Sequence, residues 1–361
     1  MKKIIAIFGC ESSERDVSVI SAVEALNACP YGEYKVYPAY VKGGVWYSGD
    51  SMLDINTFID FDEKKHKKVA LIGKSLYYEK RGKWKFWDAI DGALLLTHGG
   101  QGESGELQGF LEISGIPYTS CDTQSSAICM DKYLLKLALK DLKINVVKGV
   151  VVSDDSEESL LEIEKKVGYP VFVKPNAQGS SIGVGVARDS VELKERLAVA
   201  FEYDKRALVE KFISGATEYN CAVIKTGDVV LVSEIEKPIS SGEFLTFGDK
   251  YLDFSKSACL CKREFPAKIN EKLREEIRSV SEKVYTKLGL FGIVRFDFMY
   301  DGKLYLNEVN AIPGSLAHYL FPALSYTDFL KILIDEGIER GIKKYGEYES
   351  GVLKELGAIR K

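Results

Sequence analysis

The stretch GIVRFDFMYDGKLYLNEVN, residues Gly292–Asn310, predicts a β-hairpin. Both halves are rich in β-branched and aromatic residues, and Asp301-Gly302 between them is a strong signal for a two-residue turn. With that turn, Tyr300 would pair with Lys303. This pairing sets the register of the two strands and therefore decides which residues share a face.

Four polar side chains fall on one face of the predicted hairpin, because side chains alternate along a strand. They are Arg295, Asp297, Glu308 and Asn310. In the predicted register Arg295 lies opposite Glu308. Asp297 lies opposite Leu306 and diagonally from Glu308, roughly 7–8 Å away, so both carboxylates could reach one ion. Two carboxylates and an amide suit Mg²⁺ held against phosphate oxygens. The alternative is a solvated face with a single ion pair.

The composition is that of a large globular chain. It has 361 residues, of which 46% are hydrophobic, enough for two or three subdomains. The net charge of −4 and the lack of a long basic run argue against nucleic acid as a partner. Apolar runs such as Ala93–Leu96 are too short to span a bilayer, so no membrane association is expected. The start, MKKIIAIFGC, favours a first strand over a signal peptide.

The cysteines are predicted to be reduced and mostly buried, in a cytosolic protein. There are seven, an odd number, and only Cys259 and Cys261 are close in sequence. A C-x-C pair alone is a weak signal for a metal.

The first part of the chain predicts a doubly wound α/β domain. Lys2–Phe8 and Tyr34–Val41 have the pattern of buried strands, and helical spacing from Ser18 onward lies between them. Residues 42–90 are polar and predict an excursion that contains a hairpin. Ala89–Thr97 is predicted to be a central parallel strand.

A glycine-rich loop, HGGQGESGELQG (98–109), follows that strand. Ligands of open α/β sheets bind at the carboxyl ends of strands, so this loop is a candidate binding site.

The rest of the chain predicts further helices, strands and loops. Helices are expected at Asp131–Leu142, Ser156–Val167, Asn270–Leu288 and Thr327–Lys344, strands at Val146–Val152, Val171–Lys174, Ala207–Phe212, Glu218–Ile224 and Asp228–Glu234, and a polar loop at Ser240–Ser257.

Lys174-Pro175 and the following loop, Gln178–Gly183, are a candidate phosphate site. A lysine at the end of a strand offers a positive charge, and glycines let backbone N–H groups approach phosphate oxygens. The loop is not a Walker A sequence, and the alternative is an ordinary Gly-Ser turn.

The run Leu208–Ile213, followed by Glu218, adds a candidate nucleotide contact. A strand that leads into a short linker can present backbone groups to an adenine edge, and a carboxylate suits ribose hydroxyls. The alternative for Glu210-Lys211 is a surface ion pair.

In this order and spacing the motifs resemble the ATP-grasp superfamily, and more closely the D-alanine–D-alanine ligases. The resemblance is carried by FGCESSERDVS (8–18), HGGQGESGELQG (98–109), IPYTSCDTQSSAICMDK (116–132), VKPNAQGSSIGV (173–184), EKFISGATE (210–218), DKY (249–251) and RFDF with NEVNAIPGS (295–315). These segments cover nearly the whole chain.

The resemblance implies an α/β fold with three subdomains. Residues 1–121 would form the doubly wound N-terminal domain with the first-substrate site, 122–213 the central ATP-grasp subdomain, and 214–361 the C-terminal subdomain with the lid loop and metal site. ATP would lie between the last two, which are α+β subdomains.

The reaction implied by the resemblance joins two D-alanines for peptidoglycan precursor synthesis. The first carboxylate would be phosphorylated by ATP to an acyl phosphate, the amine of the second D-alanine would attack it, and the tetrahedral intermediate would lose phosphate. The resemblance also implies two Mg²⁺ ions, for which Mn²⁺ could substitute, a cytoplasmic location and a homodimer.

Nucleotide and metal contacts also follow from the resemblance. Phosphate and loop contacts would come from Lys132, Lys174, Ser180, Ser181 and Lys250, adenine contacts from Glu210, Lys211 and Ile213, the ribose contact from Glu218, and the Mg²⁺ ligands from Asp297, Glu308 and Asn310. The last three match the face derived from the hairpin.

The resemblance further implies contacts to the amino acids. Glu14 would bind the ammonium of the first D-alanine and would form a hydrogen-bonded triad with Ser180 and Tyr251 that closes the lid. Arg295 and the backbone N–H of Gly314 would stabilise the oxyanion of the tetrahedral intermediate.

The cavity walls are assigned on the same basis. His98 and Glu103 would line the amino-acid pocket, and Tyr319 and Leu320 the acceptor side. Taken singly, Glu14 has the alternative of a charge at a helix N-terminus, and His98 that of a structural histidine.

The chain departs from the family just after Asn310. Many members read N-T-x-P-G with a serine near the acceptor carboxylate, whereas here Ala311 replaces the threonine and Tyr319 stands where the serine is expected. A phenol can still donate a hydrogen bond to a carboxylate. The lid loop SSGEFLTFGDKY (240–251) also lacks the tyrosine-rich F-Y-D-Y pattern. These changes lie on the acceptor side and leave the identity of the second substrate open.

D-alanine is the expected acceptor. Tyr251 favours an amine over D-lactate, and the apolar Leu320 favours a methyl over a hydroxymethyl side chain. The alternative is a variant ligase that takes D-serine or another D-amino acid, as in glycopeptide resistance or specialised dipeptide synthesis. A nucleotide-binding protein without catalysis is disfavoured, because Arg295, Lys174 and Glu14 are all present.

Overall fold

The computed structural model of this protein describes residues 1–239, 263–342, 346 and 350–359. The predictions for Lys250, Tyr251, Cys259, Cys261 and the loop Ser240–Ser257 lie outside the described residues. The described helices are α1 Arg15–Ala28, α2 Gly100–Glu103, α3 Glu106–Ser114, α4 Thr123–Met130, α5 Lys132–Asp141, α6 Glu157–Lys166, α7 Ser190–Phe201, α8 Glu271–Lys287, α9 Tyr326–Arg340 and α10 Val352–Ile359, with 3₁₀ turns at Asp50–Leu53, Ile55–Phe58, Glu63–Lys65 and Gly314–Leu320.

The described strands fall into four sheets. They are β1 Lys2–Gly9, β2 Tyr34–Lys42, β3 Val45–Ser48, β4 Lys67–Ile72, β5 Ser75–Lys80, β6 Lys83–Ala89, β7 Gly92–Leu95, β8 Gly149–Val152, β9 Val171–Pro175, β10 Gly185–Ala187, β11 Ala207–Lys211, β12 Thr217–Thr226, β13 Val229–Val232, β14 Lys237–Pro238, β15 Arg263–Glu264, β16 Val294–Tyr300 and β17 Leu304–Asn310.

The first sheet has the order β6-β5-β4-β3-β2-β1-β7. β1 runs parallel to β2 and β7, and α1 connects β1 to β2, as the βαβ prediction requires. The excursion 42–90 supplies the antiparallel strands β3 to β6. The prediction that β7 is central is wrong. Among the described residues the excursion extends the sheet on the β2 side only, and beyond β7 they form a single bridge, from Ala93 to Tyr118.

Two smaller antiparallel sheets follow. Their orders are β10-β9-β11-β8 and β13-β12-β16-β17, and β14 pairs with β15 in a two-stranded sheet. The helices predicted near Asp131–Leu142 and Asn270–Leu288 form as α5 and α8. Each begins at a side-chain cap, since Asp131 accepts from two backbone N–H groups of α5, and Asn270 accepts from one of α8.

Three hydrophobic cores underlie these sheets. The first packs α1 and α9 on the first sheet, the second packs α5 and α8 on β12, β16 and β17, and the third packs α6 and α7 on β9 and β11. Residues 312–334 contribute to the first core, so the chain returns to its N-terminal sheet after the hairpin. The five described cysteines are free and buried, as predicted. No helix of the described residues is long and apolar enough to cross a membrane.

The opening hairpin forms as β16 and β17, but its predicted register is wrong. Tyr300 pairs with Leu304 rather than Lys303, so the connection has three residues. Gly302 takes a positive φ of 103°, a conformation that glycine accommodates.

A second register shift lies beside the site. Phe298 pairs with Leu306 while Asp297 pairs with Glu308, so Asn307 is the extra residue of a β-bulge. The bulge places Asp297 directly opposite Glu308 instead of diagonal to it. The backbones of Asp297 and Glu308 therefore lie closer together than the predicted register implies.

Candidate active site

Two adjoining cavities lie between α1, the hairpin β16–β17 and the sheet that contains β9 and β11. The larger, of about 350 Å³, is lined by residues from α1, α5, β12, the hairpin and the turn Gly314–Leu320. The smaller, of about 90 Å³, is lined by β9, β11 and the linker after β11. Residues that line both cavities are Lys132, Gln178, Glu218, Asp297 and Glu308. A ligand in one cavity would therefore meet a ligand in the other at this boundary.

The polar face of the hairpin stands at the boundary. Arg295 donates to both oxygens of Asp297, from Nε at 2.7 Å and from Nη2 at 2.9 Å. Asn310 Nδ2 donates to Asp297 Oδ2 at 3.0 Å. Burial lowers the pKa of Arg295, but the Asp297 carboxylate outweighs burial and raises it overall, so the guanidinium stays charged.

Lys132 holds the second carboxylate of this face. Its Nζ lies 3.5 Å from Glu308 Oε1 and donates to the carbonyl of Gln178 at 2.5 Å. This lysine is the first residue of α5 and is buried, which brings the helix start against the loop after β9. The predicted phosphate contact therefore sits beside the predicted metal ligands.

The donor set of the hairpin fits a hard cation. Among the described residues no three His, Cys, Asp or Glu side chains cluster as a metal site. Asp297, Glu308 and Asn310 instead offer two carboxylates and one amide, and all three line the larger cavity. Oxygen donors of this kind suit Mg²⁺.

A buried Lys-Glu-Lys cluster underlies the smaller cavity. Lys174 Nζ lies 2.5 Å from Glu210 Oε2 and 3.1 Å from Asn307 Oδ1, and Lys136 Nζ contacts Glu210 Oε1. Burial alone would raise the pKa of Glu210. The two ammonium groups outweigh burial, so the pKa of Glu210 is lowered overall. Lys136 and Asn307 were not predicted from the sequence to belong to this site. For Lys136 the available signal was its position one helical turn after Lys132.

The predicted adenine and ribose residues are brought together around the smaller cavity. Glu210, Lys211, Ile213 and Glu218 all line it, with Ser181 on the opposite loop. Lys211 Nζ donates to the carbonyls of Gly168 and Tyr169, at 3.2 and 2.8 Å, so its head is held by backbone.

Glu14 and Ser180 meet across the larger cavity. Ser180 Oγ donates to Glu14 Oε1, and both side chains are buried. A Cβ on Gly179 would lie 2.3 Å from Glu14 Oε2, so only glycine allows this approach. Two members of the predicted triad are thus in contact, and the third, Tyr251, lies outside the described residues.

His98 and Glu103 are buried in the wall of the larger cavity. His98 Nδ1 donates to the carbonyl of Ile312 at 2.8 Å, and Nε2 lies 2.8 Å from Ser21 Oγ. Glu103 accepts from the backbone N–H groups of Gly99 and Ile312. Burial raises the pKa of Glu103 to about 7, with Glu14 adding to the effect. Both residues tie the glycine-rich loop to the chain after Asn310.

We expect His98 to stay neutral between pH 5 and 8. Burial lowers its pKa to about 4, below the ordinary value of 6.5. A lowered pKa means that the stability contributed by neutral His98 is present above pH 6.5 and is lost as pH falls toward 4. An NMR titration of the ring nitrogens, assigned with a His98→Asn variant, tests this. A titration midpoint near 6.5 would show that the ring is not buried with a hydrogen bond at each nitrogen.

The turn after the hairpin is strained. Ser315, Leu316 and Ala317 take φ angles of 46 to 50°, a left-handed conformation that costs non-glycine residues energy. Ser315 N donates to Ser21 Oγ at 3.0 Å, and its Oγ donates to Glu24. These contacts hold Gly314 in the wall of the larger cavity.

Tyr319 and Leu320, both predicted on the acceptor side, lie in different environments. Tyr319 lines the larger cavity, and its phenol donates to Glu236 Oε1 at 2.9 Å. Leu320 is fully buried in the first core and does not line either cavity. Glu236 and its neighbour Arg263 were not predicted from the sequence, because no local pattern marks them.

Comparison with known proteins gives the same family over both halves of the chain. A family model described as D-ala D-ala ligase N-terminus matches residues 3–121, and one described as D-ala D-ala ligase C-terminus matches residues 138–335. A D-alanine–D-alanine ligase of Thermosipho melanesiensis is 37% identical over 98% of this chain and 99% of that protein. A ligase of the same name from Thermoanaerobacter sp. is 35% identical over 96% and 99%.

Solved structures agree with the sequence comparisons. The D-alanine–D-alanine ligase of Helicobacter pylori matches with a TM-score of 0.76 and 29% identity, over 96% of this chain and 100% of that one. The VanG D-Ala:D-Ser ligase of Enterococcus faecalis matches with a TM-score of 0.79 and 31% identity, over 92% and 98%.

Proposed function

We propose that this chain, which belongs to the D-alanine–D-alanine ligase family, is an ATP-dependent ligase that joins two D-alanines for peptidoglycan precursor synthesis. The observation that carries the proposal is the pair of adjoining cavities. The smaller is lined by Lys132, Lys174 and Lys211, whose charges suit a nucleotide. The larger is lined by Glu14, Ser180 and Arg295, polar groups suited to an amino acid. Asp297 and Glu308 stand between them.

The first step requires the donor carboxylate to meet the γ-phosphate at this boundary. Lys132 and Lys174 supply fixed positive charge for the phosphates, and the linker Lys211–Ile213 and Glu218 accommodate the nucleoside. Glu14, held by Ser180, provides a buried carboxylate for the donor ammonium. Transfer of the phosphoryl group then gives an acyl phosphate and ADP.

The second step is attack by the acceptor amine on the acyl carbon, followed by loss of phosphate. The developing oxyanion needs a preorganised positive partner in a dry site. Arg295 meets this need, because its charged side chain is only 19% exposed, and Gly314, whose backbone N–H is the second proposed donor, lines the same cavity.

We assign Asp297, Glu308 and Asn310 to hold two Mg²⁺ ions, for which Mn²⁺ would substitute. Bound there, the ions would neutralise phosphate charge and align the transferring group. Lys250 and Tyr251 keep their proposed roles at the phosphate and in the triad. A homodimer, a cytoplasmic location and the division at residues 121 and 213 also remain proposals, with small-molecule substrates as the partners.

The proposal is tested with purified protein, ATP and Mg²⁺. ADP release that depends on D-alanine alone, with D-alanyl-D-alanine as the product, is the expected result. No turnover with D-alanine alone would overturn it.

A D-serine acceptor is the second candidate function. It is favoured by the likeness to the VanG D-Ala:D-Ser ligase and by Tyr319 in place of the expected serine. Equimolar D-alanine and D-serine with ATP separate the two, since a mainly mixed dipeptide product would favour this alternative.

A further inference from the structure

We propose that Arg263 binds the carboxylate of the acceptor amino acid, in a site that it forms with Glu236 and Tyr319. This inference rests on the proposed ligase function. Each substrate amino acid brings one carboxylate, and phosphorylation consumes the donor's. The acceptor carboxylate keeps its negative charge throughout, so the larger cavity must offer it a cation.

The cations of the larger cavity are few. Among the described residues that line it, the lysines and arginines are Lys132, Arg263 and Arg295. Lys132 contacts Glu308, and Arg295 contacts both oxygens of Asp297. The proposed function gives these two cations to the phosphates and to the oxyanion, which leaves Arg263. Arg263 does not line the smaller cavity, which places it away from the nucleotide.

The Arg263 guanidinium is held in place without being saturated. Its Nη1 lies 3.6 Å from Glu236 Oε2, beyond hydrogen-bond distance, and the group stacks on the Tyr319 ring at 4.2 Å. Its side chain is 25% exposed. Stacking leaves the edge of the guanidinium, with its N–H fork, for a carboxylate.

Glu236 is the anchor of this cluster. It is buried and accepts from Tyr319 Oη at 2.9 Å and from Asn220 Nδ2 at 2.8 Å. The Tyr319 proton is therefore directed at Glu236 and away from a substrate. Burial, and then Glu236, raise the pKa of Tyr319, so this bond persists at working pH.

The same cluster reaches the reaction centre. Glu236, Arg263 and Tyr319 line the same cavity as Arg295, the proposed oxyanion partner. A carboxylate bound by Arg263 would thus belong to an amino acid whose amine faces the acyl carbon near Arg295. At the position where many family members have a serine, this chain has Tyr319, whose ring stacks on Arg263.

The test is a competition for the acceptor position. The protein receives ATP, Mg²⁺, D-alanine as donor, and equal amounts of D-alanine and D-alaninamide as acceptors. Mass spectrometry gives the ratio of D-alanyl-D-alanine to D-alanyl-D-alaninamide. This ratio reports selection for the carboxylate and does not depend on how much protein is active.

We expect Arg263→Gln to lower the ratio by about tenfold or more, because a charge-assisted bidentate contact is lost. Lys237→Gln is the matched control. This substitution removes one positive charge from the neighbouring strand of the same two-stranded sheet. Lys237 does not line either cavity, so the variant should keep the wild-type ratio.

An unchanged ratio in Arg263→Gln overturns the inference while leaving the ligase function standing. If the wild-type protein forms neither product, the proposed function itself fails. If Arg263→Gln does not fold, Arg263→Lys decides. It keeps the charge but loses the fork, so the ratio should fall about threefold or more, and a wild-type ratio would overturn the inference.

Discussion

Glu308→Gln and Asp297→Asn are each expected to lower ADP formation by about a hundredfold or more while the protein remains folded. Each change removes one carboxylate charge from the proposed Mg²⁺ site and keeps the side-chain shape. The two residues face each other across the β-bulge, and both line the boundary of the two cavities. Activity measured at rising Mg²⁺ concentration should show a raised requirement for the ion.

Asp301→Asn is the matched control. Asp301 lies in the turn of the same hairpin, is exposed, and accepts from the backbone N–H of Lys303, which an asparagine side chain can also do. This variant should have wild-type activity. Near-normal activity of both Glu308→Gln and Asp297→Asn would refute the metal assignment.

The two site variants should differ in stability. Asp297 pairs with Arg295, whose side chain is 19% exposed, so Asp297→Asn leaves a largely buried guanidinium without its counter-charge. Glu308 is partly exposed and lies 3.5 Å from Lys132. We therefore expect thermal unfolding to be affected more by Asp297→Asn, and Glu308→Gln is the cleaner test of catalysis.

The alternation of polar and apolar residues was enough to predict which hairpin residues share a face. It did not reveal the bulge at Asn307, because two neighbouring residues that turn toward the same side look like any other pair in sequence. The face was therefore predicted correctly, while the pairing of Asp297 with Glu308 was not.

Contacts between residues far apart in the sequence could not be predicted from local patterns either. Glu236 meets Tyr319 across 83 residues, and Lys136 meets Glu210 across 74. Nothing in the segments around these residues indicates that the chain brings them together. By contrast, Lys174 was proposed from its own surroundings, a strand end followed by a Gly-Ser loop, and Glu14 was proposed from the family resemblance.

Glu210→Gln is expected to lower the free energy of unfolding by about 3–5 kcal/mol, the usual cost of breaking a buried ion pair. Lys136, Lys174 and Glu210 are each less than 10% exposed, and the amide would leave two buried ammonium groups without a negative partner. Urea unfolding at pH 7 measures the effect. Misplacement of Lys174 should also raise the KM for ATP.

Glu162→Gln is the control for this second prediction. Glu162 pairs with Lys166 one turn along α6, and both are about half exposed, so the loss should be under about 1 kcal/mol. A double variant, Glu210→Gln with Lys136→Met, removes one of the uncompensated charges. It should recover part of the lost stability, although it carries one more substitution.

The pH dependence supplies an independent check on the cluster. The two lysines hold the pKa of Glu210 below its ordinary value of 4.5 in the folded chain. Its stabilisation is therefore fully present above pH 4.5 and is lost as pH falls through the lowered folded pKa. The difference in unfolding free energy between wild type and Glu210→Gln should be constant from pH 6 to 8 and shrink below pH 4.5. A difference that stayed constant to pH 3, or one no larger than that of Glu162→Gln, would show that Glu210 does not hold the two lysines as a charged pair.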